Sequence, residues 1–540
     1  MARASVPGAA ADTFDAPEGL AARLPLVIAA AGVLLVAGFD LTSSLPFNDE
    51  FFYQWTVRRL GEGHGLQLFP GQAPIALVQL ALGGLAWAVA HDPRAVRLTA
   101  IPFVVAALWG IYMLARDLGV SRFYAGVAAA VPVALPVYAA AATGFMSEPF
   151  YLGLLLPFCV TATRWLRAGR GGALMVVLAA LCALERQHAA AIPPALSVAV
   201  LVSAGRRGVS RGDLGWLAAV WVVVGAALLL PGVTGLQTEQ MRLNLGSFTS
   251  PSASAAAAML LYLPGMAGIA LLAFGGALPW SSGGNPRWWA RPLVPALAGL
   301  VVLVVLLTFI LPGNYFTRAG LNPITVAGSK PELYGVLIPA IGLIGVACLL
   351  ILVARPAPMF THLLHDPGAV LLLVVGAGAL VPMLNGDVFD RYYLAVDLPW
   401  VPLAAMLAGN ARWSRVGRAW AMAALLAGVA VYAAGEQDYQ AWQQARDQAE
   451  RLAERSVSPR DIFSGFETYG VRVVLPEYER TGRLGTVTGR RTTTAEAPLH
   501  PRAILLITGP NDNRPGVPYH SLASGRVVVQ FLPRQPGVAE

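Results

Sequence analysis

Residues 44–55 read SLPFNDEFFYQW, and they place two adjacent carboxylates, Asp49 and Glu50, at the end of a long apolar run. A third acid, Glu148, stands in ATGFMSEPF (142–150), again beside an apolar run. Two further polar stretches, ERQH (185–188) and NGDVFDRYYLAVDLPW (385–400), contribute Arg186, Gln187, Arg391 and Tyr392. These residue types suit one kind of chemistry. A carboxylate within hydrogen-bond reach takes a proton from an attacking hydroxyl. A guanidinium carries a permanent charge and a planar fork that grips two phosphate oxygens. Together they suit the transfer of a group from a phosphate to a hydroxyl.

The elements that position these groups follow from composition. The 540 residues are 56% hydrophobic and 13% charged, with a mean hydropathy of +0.60. A soluble domain carries about 25% charged residues, so the solvent for most of this chain is a bilayer. Candidate spanning runs fall at about 24–45, 95–115, 122–141, 148–167, 172–185, 189–204, 214–232, 256–277, 292–312, 336–354, 368–385, 394–410 and 418–434, of which 172–185 and 189–204 are two short spans joined by ERQH. The first lacks a small-residue cleavage site before the acids and is expected to be retained as a helix. The net charge of +8 is almost all arginine, Lys330 being the only lysine. Basic loops of this kind set membrane orientation and call for no nucleic acid. Cys159, Cys182 and Cys348 all lie in apolar runs, in no disulfide or metal-site spacing.

The stretch 74–91, PIALVQLALGGLAWAVAH, is also apolar, and whether it spans decides the sidedness of everything after it. If it lies along the outer surface, the arginine clusters 116/122, 164/167/170, 206/207/211, 287/291 and 412/415/418 all fall inside, leaving Arg242, Arg318, Lys330 and Arg391 outside. The predicted architecture is therefore an α-helical polytopic membrane protein. It has about thirteen spans, a juxtamembrane helix in the first outer loop, a cytoplasmic N-terminus and an inner-membrane location. Residues 1–435 form the membrane domain. From 436 the chain turns polar, with helical spacing through EQDYQAWQQARDQAERLAER, then strand-like runs VRVVLPEY, RAILLIT and RVVVQFL between turn residues. Residues 436–540 are expected to form a small extracytoplasmic α/β domain.

This topology gathers Asp49, Glu50, Glu148, Arg186, Arg318, Lys330, Asp387, Asp390 and Arg391 in one outer layer. Each also has a structural reading. Ser147 is placed to be an N-cap with Glu148 in the first helical turn, favoured there by the helix dipole. Glu185 and Arg186 can form an ion pair at a helix end. Arg391 beside two tyrosines can be an interfacial anchor. His64 and His188 are lone histidines and are not expected to bind metal. Ionisable residues at membrane depth nonetheless mark functional sites, and here both signs occur on one face.

The motifs resemble a family. NDEFFYQWTVRRL, TGFMSEPFYLGLLL, LERQHAAAIPPAL, DRYYLAVDLPW and PRDIFSGFETYG are similar, in order and spacing, to segments of the GT-C class of lipid-phosphosugar-dependent glycosyltransferases. The group concerned contains the protein O-mannosyltransferases and the lipid A aminoarabinose transferase. The resemblance implies that Asp49 is the catalytic base, with Glu50 shaping its surroundings. It implies that Glu148, where the family usually has aspartate, orients a sugar or helps bind a cation. It implies that Arg186 and Arg391, with Gln187, Tyr392, Lys330 and Arg318, hold the donor phosphate. The implied partners are a polyprenyl-phosphate sugar, membrane lipid and an extracytoplasmic acceptor (glycan, lipid or protein). No cofactor is expected, although some GT-C relatives use a divalent cation. The other readings of the residues are a lipid or solute transporter or flippase, a non-catalytic envelope assembly protein, and an oligosaccharide ligase or polymerase with a diphosphate-linked donor. A transporter commonly shows repeated halves and midplane charges, and neither is seen in this sequence.

Overall fold

The structure is a computed structural model. It describes residues 23–236 (apart from 44, 45, 47, 48, 71 and 73), 273–274, 363–382, 390–409, 415–459, 462–463, 470–481, 503–508, 516–521 and 525–533. The runs expected at 292–312 and 336–354, nearly all of that at 256–277, and the candidate residues Arg318 and Lys330 lie outside this set.

Helices dominate. In chain order they are α1 (Leu24–Thr42), α2 (Glu50–Gly61), α3 (Leu77–Ala90), α4 (Pro93–Leu98), α5 (Ile101–Asp117), α6 (Arg122–Ala134), α7 (Pro136–Ala142), α8 (Ser147–Ala168), α9 (Gly172–Glu185), α10 (Ile192–Arg207), α11 (Arg211–Thr234), α12 (Pro367–Gly378), α13 (Leu394–Gly409), α14 (Arg415–Ala453) and α15 (Leu475–Thr481). Among the described residues five stretches are long and apolar enough to cross a membrane: Leu24–Thr42, Pro93–Asp117, Gln187–Gly205, Arg211–Thr234 and Val416–Ala453. The protein is thus a helical membrane protein.

The expected span 122–141 is not straight. It breaks into α6 and α7, bent by 65°, because Pro136 lacks the N–H that would continue the ladder and its ring crowds the preceding turn. The helix within 74–91, α3, has 14 residues. At 1.5 Å per residue that is roughly 21 Å, short of the about 30 Å hydrocarbon layer. α9 has the same 14 residues.

Small residues let the helices approach. A Cβ added at Gly153 of α8 would lie 2.5 Å from Phe103 of α5, and one at Gly110 of α5 would lie 2.8 Å from Leu156 of α8. A Cβ at Gly32 of α1 would meet Val133 of α6 at 2.7 Å. Dispersion contacts between close backbones hold such bundles together where no hydrophobic effect acts between helix and lipid.

The long helix α14, 39 residues, runs unbroken through position 436, where the composition turns polar. Its lower half packs in the bundle, where the Tyr432 and Thr143 hydroxyls hydrogen-bond. Its upper half reaches the segment before Asp49, Gln443 Nε2 donating to the Pro46 carbonyl at 3.5 Å. Beyond it lies a four-stranded sheet of β1 (Ile462–Phe463), β2 (Ala503–Thr508), β3 (Val517–Ser521) and β4 (Gly525–Pro533), in the order β1-β2-β4-β3. β1 and β2 are parallel and the other pairs antiparallel.

Two of the three expected strands form, as β2 and β4. The third, VRVVLPEY, does not. Gly470–Val474 is a wide helical turn leading into α15. Val471, Val474, Leu475 and Tyr478 recur at helical spacing and pack on Phe51, Phe52, Trp55 and Phe69. A helical face with a partner outweighs the β preference of a valine-rich run.

Glu50 is also placed differently from expectation. It is fully buried and accepts Arg97 Nε at 2.6 Å, Arg97 Nη2 at 3.3 Å and Gln54 Nε2 at 2.7 Å, while Arg97 Nη1 donates to the Ser43 carbonyl at 2.8 Å. Successive helical residues point about 100° apart, so Glu50 turns away from Asp49 and ties α2 to α4. The prediction is that Arg97→Ala, which leaves a buried carboxylate unpaired, lowers folding stability by about 3–5 kcal/mol. A thermal or denaturant melt of the detergent-solubilised protein measures it, and an unchanged midpoint refutes it.

Candidate active site

Four of the groups singled out as proton acceptors and phosphate grips lie at helix ends or turns. Asp49 is the residue before α2, in a helical backbone conformation, and its side chain makes no capping hydrogen bond. An acid at this position ordinarily accepts the N–H of the second or third helical residue; here the carboxylate is committed elsewhere. Glu148 is the second residue of α8. Arg186 ends α9 in extended backbone, its N–H bonded to the Cys182 carbonyl at 2.9 Å. Arg391 sits in the 3-10 turn Asp390–Tyr393 that leads into α13. Both acids thus lie at helix N-termini, the end that favours negative charge.

The side chains form a chain of ion pairs. Asp49 Oδ2 accepts Arg391 Nη2 at 2.6 Å. Arg391 Nε lies 3.5 Å from Glu148 Oε1. The same Glu148 oxygen accepts Arg186 Nη1 at 2.7 Å. Arg186 Nη1 also donates to Ser147 Oγ at 3.1 Å. Two carboxylates and two guanidiniums therefore alternate, with no net charge. Three are deeply buried, whereas the Asp49 side chain keeps 26% of its exposure, so Asp49 is the member most open to an incoming group.

Aromatic groups complete the wall. The guanidinium carbons of Arg186 and Arg391 lie 5.6 and 5.5 Å from the centre of the Tyr392 ring, within cation–π range. Tyr53 is buried, and its hydroxyl hydrogen-bonds Ser147. Burial first, then the charges of Asp49 and Glu148, raise the Tyr53 phenol above its ordinary range. It stays protonated and can only present a neutral hydroxyl. His188 is buried beside the cluster, its ring 6.0 Å from that of Tyr392.

Asp49, Glu148, Arg186, Arg391 and Tyr392 are brought together as their motifs implied. Glu50 is not among them, its partner being Arg97. Gln187 is half-buried and makes no side-chain hydrogen bond among the described residues. Ser147 is not an N-cap: Met146 holds that position, and the serine hydroxyl faces Arg186. Nor does Glu185 pair with Arg186. It accepts the Gln79 N–H on Oε2 at 3.1 Å and the Ala76 N–H on its carbonyl at 3.2 Å, so it satisfies the start of α3. Tyr53 was not foreseen, although its spacing of four from Asp49 puts both on one side of α2.

No protein-family model and no curated protein sequence matches the chain. Among solved structures it is similar to the crystal structure of ArnT from Cupriavidus metallidurans bound to undecaprenyl phosphate, with a TM-score of 0.35 and 13% identity over 93% of this chain and 97% of that one. The same protein in the apo state gives a TM-score of 0.35 and 14% identity over the same shares. Similarity at this level lends nothing to the chemistry of the cluster, which rests on its own geometry.

Glu148 bridges two buried guanidiniums, so its removal is costlier than that of the half-open Asp49. Glu148→Gln is expected to destabilise by about 3–5 kcal/mol, and Asp49→Asn by clearly less. Melts of the two variants side by side give the order, and a reversed order overturns the bridging role.

Proposed function

We propose that this chain is a membrane glycosyltransferase. It moves a sugar from a polyprenyl-phosphate donor to a hydroxyl of an acceptor on the extracytoplasmic side. The observation that carries this reading is the alternating Asp49–Arg391–Glu148–Arg186 chain at helix ends in a bilayer-solvated bundle. A lipid-borne phosphate stays near the headgroup plane, and a transferase using it needs cations there that are too buried for water to screen.

The reaction is a single displacement with inversion. The acceptor oxygen attacks the anomeric carbon of the donor. The bond from that carbon to the phosphate oxygen breaks, and the electron pair leaves with polyprenyl phosphate. The acceptor proton passes to Asp49. Arg391 and Arg186 take the phosphate oxygens and stabilise the charge that grows on them. The resting pairs make this exchange economical. When phosphate occupies Arg391, the Asp49 oxygen that held it is released to accept the acceptor's hydroxyl. Glu148 keeps both guanidiniums aligned and, with the Tyr53 hydroxyl close by, orients the sugar. Because each carboxylate is matched by a guanidinium, the cluster has no surplus negative charge to hold a divalent cation. The outer domain, residues 436–540 in this reading, lies on the acceptor side.

The test is transfer of radiolabelled sugar from polyprenyl-phosphate donors by the purified protein in lipid nanodiscs. Asp49→Asn is expected to reduce kcat by about 10²–10⁴-fold, the usual range for a general base, while donor binding persists. Arg391→Ala, removing a hydrogen bond to a charged group, is expected to weaken donor binding by about 1.5–3 kcal/mol. EDTA is expected to leave the rate unchanged. Wild-type turnover by Asp49→Asn defeats the base assignment. Lipid movement between leaflets with no sugar transfer identifies a flippase instead.

A further inference from the structure

Helix α2 carries Asp49 at its start, and its outer face is aromatic. Phe51, Phe52 and Trp55 are all buried there, together with Phe69 from the following loop. What covers them is the segment 470–481, more than four hundred residues later in sequence. Val471, Val474, Leu475 and Tyr478 pack on this cluster. The Tyr478 ring centre is 5.3 Å from that of Trp55 and 5.2 Å from that of Phe69.

Each end of this segment is fixed by charge, to a different part of the protein. Glu479 accepts Trp55 Nε1 at 3.1 Å and pairs with Arg58, both on α2. Arg472 hydrogen-bonds Asp447 near the top of α14 and Glu454 just past its end, and lies 3.7 Å from Glu450 Oε2. α14 is in turn rooted in the bundle, through Tyr432 and Thr143 and through the Gln440 contacts to Phe39 and Thr42 of α1. The segment therefore ties a short surface helix to the 39-residue helix α14.

We propose that residues 470–481 are a strap that fixes the orientation of α2 and so sets Asp49 against Arg391, with Arg472 and Glu479 as positioning residues. The need is physical. α2 has 12 residues, and helices shorter than about 12–15 residues are marginal on their own, so its position is set by tertiary contacts. Its inner flank is held through Glu50 and Arg97. The strap covers the opposite flank, which otherwise exposes three large aromatic side chains. A displacement of the base of about 1 Å can lower a rate on the order of 10²-fold. Neither Arg472 nor Glu479 touches the Asp49 cluster, so both act only through the helix they hold. The positioning role rests on the glycosyltransferase reading, whereas the mechanical role of the strap does not.

The experiment uses the full chain in nanodiscs and two substitutions at partly exposed positions, Glu479→Gln and Arg472→Gln, with Arg472→Lys as the conservative control. Hydrogen–deuterium exchange of residues 50–61 is the first readout. It is expected to accelerate in both glutamine variants and to be largely restored in Arg472→Lys, with 101–117 unchanged. The second readout is steady-state sugar transfer, with kcat expected to fall on the order of 10–10²-fold and the donor KM to change little. Exchange in α2 that matches wild type overturns the strap. Loosened exchange with an undiminished kcat overturns the positioning of Asp49. A wild-type protein that transfers no sugar from any polyprenyl-phosphate donor sinks the functional reading and leaves the exchange result to decide the strap alone.

Discussion

Four charged side chains from four distant parts of the sequence meet in one poorly solvated volume, and the three buried ones, Arg391, Glu148 and Arg186, are tolerable there only together. A carboxylate or guanidinium taken out of water singly costs several kcal/mol, and attraction to a neighbour offsets this only when geometry is good. Asp49, Arg391, Glu148 and Arg186 meet that condition by alternating in sign. Each stands where a helix begins or ends, because only there does the backbone leave the bundle and bring a polar group to its edge. The helix dipoles of α2 and α8 favour the two acids at just those ends. The ends of α2, α8 and α9 and the turn before α13 are thereby drawn to one point. The rest of the bundle, with its close approaches at Gly32, Gly110 and Gly153, holds them there.

The same arrangement suits work on a phosphate. A cluster whose charges already balance is stable at rest, and a guanidinium, being permanently charged, can exchange one anionic partner for another without a change in its own state. In the proposed transferase an arriving phosphate would replace a carboxylate, and the carboxylate so released would accept the proton of the attacking hydroxyl. The greater exposure of Asp49 is why the proposal gives it that part, while Glu148 bridges two arginines in the interior.

Helix α2 concentrates three tasks on three faces. Asp49 and Tyr53 look to the charged cluster, Glu50, backed by Gln54, to Arg97, and Phe51, Phe52 and Trp55 to the strap. Residues adjacent in sequence are separated by about 100° around the axis, so NDEFFYQW serves three neighbours at once. This division assigns Asp49 and Glu50 different roles although they are chemically alike and consecutive.

Composition and apolar run length alone set the class of protein: 13% charge cannot cover a soluble surface of this size, and runs near the bilayer thickness must be helical because lipid offers the backbone no partner. The four side chains that cluster were legible as candidates as well, since ionisable residues beside apolar runs are rare enough to stand out. Pairing was not legible. Sequence adjacency joined Glu185 to Arg186 and Glu50 to Asp49. The fold instead gave Glu185 to the start of α3, Glu50 to Arg97 and Arg186 to Glu148, because partner choice depends on which helix ends meet in space. The strap was misread for the same reason. VRVVLPEY has the β-branched content of a strand, and only the aromatic face of α2, supplied by a segment far away in the chain, makes a helix the better burial of its apolar side chains.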